Sequence, residues 1–466
     1  MSDQSNLRVA IVGAGPAGFY SAIELLGNYD HDISVDMFDR LPTPWGLVRA
    51  GVAPDHAKTK SVTKLFQWCS ARPQFSYFLN VEVGKDISHE ELLSHYHAVI
   101  YAYGASSSRA LGVAGEALSG SHAASEFVAW YNGHPDYAQH RFDLSGKRAV
   151  IVGNGNVALD IARILVKPVE ELRTTDIADH AISALSKSNI QEVVILGRRG
   201  IADAACTSPE LLALGDLKGV DVVIADEDIS AARSFAAEKA GSPSRLNEFK
   251  SSLKLKIATE FSQRERVPGN KSIALKFLSS PKELNGDNKV EKVLVARNRL
   301  EQQENGSTKA IVTSETESLE TGLVLSSIGY VGQPITGVPF DINNGIIPNC
   351  EGRAIHEGEP AFGTYCAGWI KRGPSGVIGT NKHCARETVR TIIADFEKAK
   401  LVNPGPREQL VKLLSDRNLA RVDYDAWRRL DAHECELGHI QNRPRVKITS
   451  VEEMFAIAKP STWFLG

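Results

Sequence analysis

Cysteine is scarce and nowhere arranged in pairs: the six cysteines of this 466-residue chain, Cys69, Cys206, Cys350, Cys366, Cys384 and Cys435, never fall in C-x-x-C spacing. That excludes a local redox dithiol, a zinc knuckle and a ferredoxin-type cluster, all of which need closely spaced thiolates, and fits thiols kept reduced in a cytoplasm. Charge of one sign is also lacking. A formal net charge of −3 offers no general attraction for nucleic acid or anionic lipid, so any basic docking surface must be local. No apolar run approaches membrane-spanning length, and the start, M-S-D-Q-S-N-L-R, has no charged region followed by an apolar one, so an unexported, cytoplasmic protein is expected. No repeat of solenoid period and no long low-complexity tract occurs. What is abundant is glycine, 38 residues, in a chain long enough for two or three domains.

Two stretches put those glycines to use. The first is an apolar strand, L-R-V-A-I-V, then G-A-G-P-A-G from Gly13 to Gly18, with Ala17 inside it, then the helical pattern F-Y-S-A-I-E-L-L. Gly13 permits a tight turn, Gly15 lets a pyrophosphate approach the backbone, and Gly18 lets helix and strand pack closely. The next strand, I-S-V-D-M-F-D, ends on Asp39, placed to accept hydrogen bonds from an adenosine ribose. The second stretch, G-K-R-A-V-I-V-G-N-G-N-V-A-L-D-I-A-R-I-L, repeats the order with Gly153, Gly155 and Ala158. After a polar insertion over about 167–189, the strand E-V-V-I-L runs into Gly197, Arg198 and Arg199. A carboxylate there would repel a 2′-phosphate, whereas two guanidiniums form forked, charge-assisted hydrogen bonds to it. The second ligand is therefore read as NADP(H), and the first as FAD. Glu210, at the start of S-P-E-L-L, can bond a ribose or the nicotinamide end, or simply complement a helix dipole.

Downstream, V-I-Y-A-Y-G-A (99–105) and L-V-L-S-S-I-G-Y (323–330) read as strands where the chain leaves and re-enters the first domain, and T-Y-C-A-G-W-I-K-R-G-P-S-G-V-I-G-T-N-K (364–382) leads into a helix reaching about Phe396. Amides near Gly376, Val377 and Ile378 suit the pyrimidine edge of a flavin, where negative charge grows on reduction. A-L-S-G-S-H (117–122) is polar enough for a linker, G-S-P-S and E-Q-Q-E-N-G-S mark exposed loops, and the segment after Phe396 is expected to wrap back onto the first domain. The fold class expected is α/β: two Rossmann-like dinucleotide-binding domains, an FAD domain over 1–107 and 327–466 interrupted by an NADP domain over 108–326.

Taken together, L-P-T-P-W-G-L-V-R-A-G-V-A-P-D-H (41–56), V-G-N-G-N-V-A-L-D-I-A-R-I-L (152–165), L-G-R-R-G (196–200), A-G-W-I-K-R-G-P-S-G-V-I-G-T-N-K (367–382) and D-A-W-R-R-L-D-A-H-E (425–434) span nearly the whole chain. In that order they resemble the adrenodoxin-reductase-type ferredoxin-NADP reductases. The resemblance implies FAD held at Gly13 to Gly18, Asp39, Leu47, the backbone of Val83, Trp369 and Gly376 to Ile378. It implies NADP(H) held at Asn154, Gly155, Asn156, Val157, Arg198, Arg199 and Glu210, with Arg109 reaching across, and Trp369 near both cofactors. The departures are an Asp at 39 where a Glu is usual, no proline or phenylalanine early in G-I-A-D-A-A-C, and Ala213 where a second carboxylate often follows Glu210. That carboxylate is expected to pair with the histidine matching His56, so Ala213 weakens a proton-relay role for His56. The function implied is NADPH oxidation through FAD with single electrons leaving for a ferredoxin-type protein carrier; a flavin-dependent oxidase or monooxygenase, or a non-catalytic redox sensor, would carry the same two ligand motifs. Arg245, Lys250, Lys254 and Lys256, with Lys371 and Arg372, are the expected basic face for an acidic carrier.

Overall fold

The structure, a computed structural model, describes residues 6–238, 245–303 and 308–459, with side chains described outside 235–250. The chain divides into two compact units, residues 1–107 with 329–466, and residues 108–328.

The first unit is built on a seven-stranded sheet in the order Asn349–Cys350, Arg353–His356, Glu359–Cys366, Ala98–Tyr101, Leu7–Val12, Ile33–Asp39 and Phe75–Leu79. From Glu359–Cys366 onward neighbouring strands run parallel. Their near-continuous apolar sequences follow from burial on both faces. The helix Pro16–Leu26 starts with proline, whose missing N–H would be unpaired there anyway. It lies beside the helix Thr380–Glu397, to which Arg386 and Glu24 link it at 3.0 Å.

The chain after Phe396 closes over this same sheet. Arg407 grips buried Asp36 with two 2.8 Å hydrogen bonds, and Leu410 and Leu414 of the helix Arg407–Asp416 are fully buried. The helix Tyr424–Ile440 buries Trp427 in the core that also holds Trp45.

The second unit has a wholly parallel six-stranded sheet: Ser121–Ala123, Leu323–Ser326, Arg148–Val152, Glu192–Leu196, Lys271–Lys276 and Val220–Ile224. Helices cover one face. On the other lies a three-stranded antiparallel meander, Ser279–Asn285, Lys292–Gln302 and Thr308–Glu320, whose Leu284, Val293, Val295 and Leu319 pack on Val150, Val152, Val194 and Leu196. The segment read as a linker contributes the strand Ser121–Ala123, and the segment read as a polar insertion buries Leu172, Ile177, Ala181, Ile182 and Leu185 against the core. The loop residues 241–244 and 304–307 lie outside the described residues. Among the described residues, no helix is long and apolar enough to cross a membrane.

Candidate functional site

The two glycine turns have nearly the same geometry. Gly13 and Gly153 both sit at φ +111°, where a side chain is strained. A Cβ added to Gly13 would lie 2.6 Å from the Ala102 carbonyl oxygen, and one added to Gly153 would lie 2.2 Å from that of Ser327. Each turn is thus closed by the strand on its far side, Ala98–Tyr101 in the first unit and Leu323–Ser326 in the second. Gly18 touches the turn from the helix, where an added Cβ would come within 2.1 Å of the Gly13 carbonyl oxygen; at the matching place Ala158 is fully buried.

Gly15 and Gly155 differ from these crowded glycines. An added Cβ would meet only the Gly46 Cα at 3.9 Å in the first case and the Ala205 Cβ at 3.9 Å in the second. Each glycine precedes the first residue of an eleven-residue helix. The backbone there is open at the positive end of a helix, and such a cradle fits a pyrophosphate.

The strands beyond the turns carry different charge. Gly13 donates its N–H to the Phe38 carbonyl at 2.8 Å, and Gly153 donates to Leu196 at 2.9 Å. The position after Phe38 is Asp39; the position after Leu196 is Gly197, so the register sets a glycine where the first unit has its carboxylate, and Arg198 and Arg199 follow. Asp39 accepts from Ala14 N–H at 2.8 Å and Leu41 N–H at 3.0 Å. Burial pushes its carboxyl above the usual range, against the pull of those amides and of Arg40. Each oxygen retains lone-pair capacity for a ribose hydroxyl.

In the second unit Asn154 fills the space Asp39 would need, with its Nδ2 2.5 Å from where a Gly197 Cβ would stand. Its Oδ1 accepts from Ala205 N–H and its carbonyl from Cys206 N–H, while Asn156 Oδ1 accepts from Thr207 N–H at 2.8 Å. The two asparagines therefore pin the loop that starts the helix Ser208–Ala213, which carries half-buried Glu210 in its first turn. Val157 is half-buried beside them.

Arg198 is exposed, Arg199 is half-exposed, and among the described residues neither guanidinium makes an ion pair. Their backbone is held. Asn298 Nδ2 donates to the Arg198 carbonyl at 2.9 Å, and Leu278 N–H to that of Arg199 at 3.3 Å. The meander thus serves as a brace for the arginines, a role that nothing in the sequence reading assigned to it.

Around the first turn, the segment P-W-G-L crosses directly above Gly15. Trp45 has φ +85° and Gly46 φ +49°, and a Cβ on Gly46 would lie 2.8 Å from the Gly15 Cα. Trp45 donates its N–H to the Ala14 carbonyl at 2.7 Å, and Leu47 is left 44% exposed over the turn. This conformation is anchored by a buried ionic cluster. Arg49 meets fully buried Glu434 with two hydrogen bonds of 2.5 and 2.7 Å, Arg445 reaches Glu434 at 3.1 Å and Asp431 at 2.7 Å, and Ile448 N–H donates to Glu434 at 2.9 Å. Burial alone would raise the Glu434 carboxyl, but Arg49 and Arg445 hold it below its ordinary value. Trp427 lies edge-on to Trp45 at 5.0 Å. The D-A-W-R-R-L-D-A-H-E motif owes its place to this anchor.

The late segment closes on the same helix start. Gly368, at φ +78°, faces buried Ala17: an added Cβ would approach the Ala17 Cβ to 2.5 Å. Half-buried Trp369 stacks on Tyr330 at 5.5 Å. Gly376 has φ +82°, Val377 donates its N–H to Thr380 Oγ1 at 3.1 Å, and Val377 is 60% exposed, with Ile378 beside it, at the mouth of the helix Thr380–Glu397. Arg372 gives Nη2 to Asn381 Oδ1 at 3.1 Å, but its buried Nε and Nη1 find no acceptor among the described residues. Buried donors of this kind fit a ligand that brings carbonyl or ring acceptors, as a flavin does.

Val83 is buried next to Ile87, half-buried His56 precedes the turn Ala57–Lys60, and Arg109 is exposed in the second unit. Of the expected basic face, the side chains of Arg245 and Lys250 lie outside the described residues, and Lys254 donates to the Ala204 carbonyl at 2.5 Å. Lys371 is buried and bound to Glu387 and Thr388, so neither it nor Arg372 belongs to an open basic surface.

Two dinucleotide cradles in one chain, with opposite charge at their reading strands, define a flavin- and pyridine-nucleotide-dependent oxidoreductase. The family model for pyridine nucleotide-disulphide oxidoreductases matches residues 7–199. The NADPH-ferredoxin reductase FprA of Mycobacterium tuberculosis is 45% identical, with 96% of this chain and 98% of that one covered. The mitochondrial NADPH:adrenodoxin oxidoreductase of Arabidopsis thaliana is 41% identical over 97% and 95%. The solved structure of Mycobacterium tuberculosis FprA in complex with NADPH superposes with a TM-score of 0.91 at 44% identity, covering 98% of this chain and 100% of that one. The chain belongs to the NADPH-ferredoxin reductase family.

Proposed function

We propose that the chain oxidises NADPH and passes the electrons singly to a ferredoxin-type iron–sulfur protein, with FAD held by the first unit, NADP(H) by the second, and the reaction taking place in the cytoplasm. FAD, when bound, accepts two electrons from a nicotinamide and can release them one at a time. The chain's own residues bind and orient. Gly13, Gly15 and the start of the helix Pro16–Leu26 receive the FAD pyrophosphate, Asp39 the adenosine ribose, and Arg372 with the Gly376–Ile378 loop the flavin's acceptor atoms. Gly155 and the start of the helix Asn156–Val166 receive the second pyrophosphate, and Arg198 and Arg199 the 2′-phosphate. Trp369, braced by Tyr330, offers a flat aromatic surface to the rings.

The thiols support an external acceptor. All six cysteines are free, and burial raises the Cys69 thiol to about 12 and holds the Cys366 thiol well above its ordinary value. Such thiols are poor thiolate sources at neutral pH. The observation that carries the reading is the replacement of Asp39 by Gly197 and two unpaired arginines at matched positions of matched turns. Anaerobic stopped-flow with NADPH, followed by cytochrome c reduction through added ferredoxin, is the test. A yellow protein that bleaches with NADPH far faster than with NADH, and then turns over ferredoxin, is expected. A protein that stays colourless with excess FAD, or uses both nucleotides equally, overturns the proposal.

A further inference from the structure

Past the strand Glu192–Leu196 the chain is fastened at three successive carbonyls. Gly197 accepts from Ser279 N–H at 2.9 Å, Arg198 from Asn298 Nδ2 at 2.9 Å and Arg199 from Leu278 N–H at 3.3 Å. Two of these donors are main-chain groups, and the third is a side chain. Asn298 also donates its own N–H to the Leu278 carbonyl at 2.7 Å. One residue therefore holds Arg198 directly and Arg199 through Leu278. With no ion pair on either guanidinium among the described residues, the main chain sets where both side chains start.

An asparagine at this position is not the choice that stability alone would favour. Along the strand Lys292–Gln302 the buried positions are Val293 and Val295 and then, around a register shift between Ala296 and Asn298, those two residues themselves. The shift turns an amide inward where unbroken alternation would have turned Arg297. Asn298 is 3% exposed; its Nδ2 gives its second hydrogen to Ser280 Oγ at 2.8 Å, and its Oδ1 finds no donor among the described residues. A carbonyl can only accept, so the atom that faces Arg198 is the amide nitrogen. Leu278, which Asn298 supports, has φ +50°, a region that a side chain rarely adopts. A leucine or valine at 298 would leave no orphan oxygen. An unpaired buried oxygen and a strained backbone thus fall on the two residues that fasten the arginine carbonyls, the pattern of a site held to a geometry rather than to maximum stability.

We propose that Asn298 is a positioning residue for the choice of NADPH over NADH: it touches no nucleotide, and it fixes the backbone from which Arg198 and Arg199 reach a 2′-phosphate. The inference rests on the assignment of that phosphate to the two arginines. A forked guanidinium–phosphate contact needs its groups placed to within about 0.5 Å, and a long side chain on a loose main chain spreads over more than that. NADH lacks the phosphate, so its binding does not sense how firmly the arginines are held.

The test uses the FAD-loaded enzyme with ferricyanide as acceptor, so that no protein carrier enters, and compares NADPH with NADH. Asn298→Ala and Asn298→Leu, the second keeping the side-chain volume, each raise KM for NADPH by about tenfold and change KM for NADH by less than about twofold. Ser280→Ala, which removes the other acceptor of the same amide, leaves the NADPH preference at the wild-type value. In the background of Arg198→Ala with Arg199→Ala, Asn298→Ala lowers the preference no further, because the changes act on one contact. A residue that served stability alone would lower the urea midpoint and leave the ratio between the two nucleotides unmoved. If the double arginine variant loses the preference while both Asn298 variants keep it, or if these weaken NADPH and NADH equally, or if Ser280→Ala matches them, the positioning role is wrong and the phosphate reading stands. If the double arginine variant keeps the preference, the phosphate reading fails and this inference with it.

Discussion

Set side by side, the two units solve one backbone problem in one way and one charge problem in opposite ways. Gly13 and Gly153 share a φ of +111°, and both are roofed by the carbonyl of a neighbouring strand's end. One residue past the carbonyl that accepts from each turn glycine, the first unit places Asp39 and the second Gly197, with Asn154 filling the vacated volume. A pyrophosphate is common to both ligands, so the cradle is common. On the proposed assignment the adenosine ends differ by a phosphate, and the side chains assigned to them differ by sign. The supports differ too: the first turn is overlaid by a strained segment tied to a buried ionic cluster, the second by a loop hung on two asparagines.

The largest way to break this contrast is to remove the charge. Arg198→Ala with Arg199→Ala is expected to lower kcat/KM for NADPH by about a hundredfold or more, at roughly 1.5 to 3 kcal/mol per lost charge-assisted contact, with little effect on NADH. Steady-state kinetics with both nucleotides checks this, and equal losses would show that the pair does not read the phosphate. Next comes the anchor unique to the first unit. Glu434→Gln leaves Arg49 buried without its counter-charge and Arg445 with Asp431 alone, and should cost about 3 to 5 kcal/mol, read as a lower urea midpoint, with faster FAD release followed by flavin fluorescence.

The same anchor predicts a pH dependence. Because the Glu434 carboxyl is depressed in the folded protein, its contribution is complete above its ordinary value of about 4.3 and is lost as pH falls through the lower folded value. Wild type and Glu434→Gln should therefore converge in stability in acid and diverge toward neutrality. The smallest effects come from the open glycines. Gly15→Ala and Gly155→Ala should change stability by no more than about 0.5 kcal/mol, since each new methyl meets open space. Each should weaken its own nucleotide, the first FAD and the second NADPH, by titration of each ligand.

Much of the glycine logic was legible because turn, close approach and helix start are set within a few residues of each other. Gly197 was harder. The arginines were read as standing where Asp39 stands, and only the strand register shows them one and two places later. Aligning I-S-V-D-M-F-D with Q-E-V-V-I-L-G on their glycine turns would have exposed it. The meander escaped notice because bulges at Pro281/Glu283 and Ala296/Asn298 interrupt its alternation. Lys371 looked like surface in K-R-G-P, yet Glu387 and Thr388, about two turns into the helix Thr380–Glu397, draw it inside. The Arg49–Glu434 pair had no local signature at all.

That last pair spans 385 residues. During synthesis the strand, glycine turn and helix of the first unit leave the ribosome before the intervening unit, while the residue that locks Trp45 and Gly46 above Gly15 emerges only after it. The intervening unit, continuous in the chain, is complete long before. On the proposed assignment, nascent chains should therefore become competent for NADP(H) ahead of FAD, the yellow colour appearing only once Glu434 has emerged.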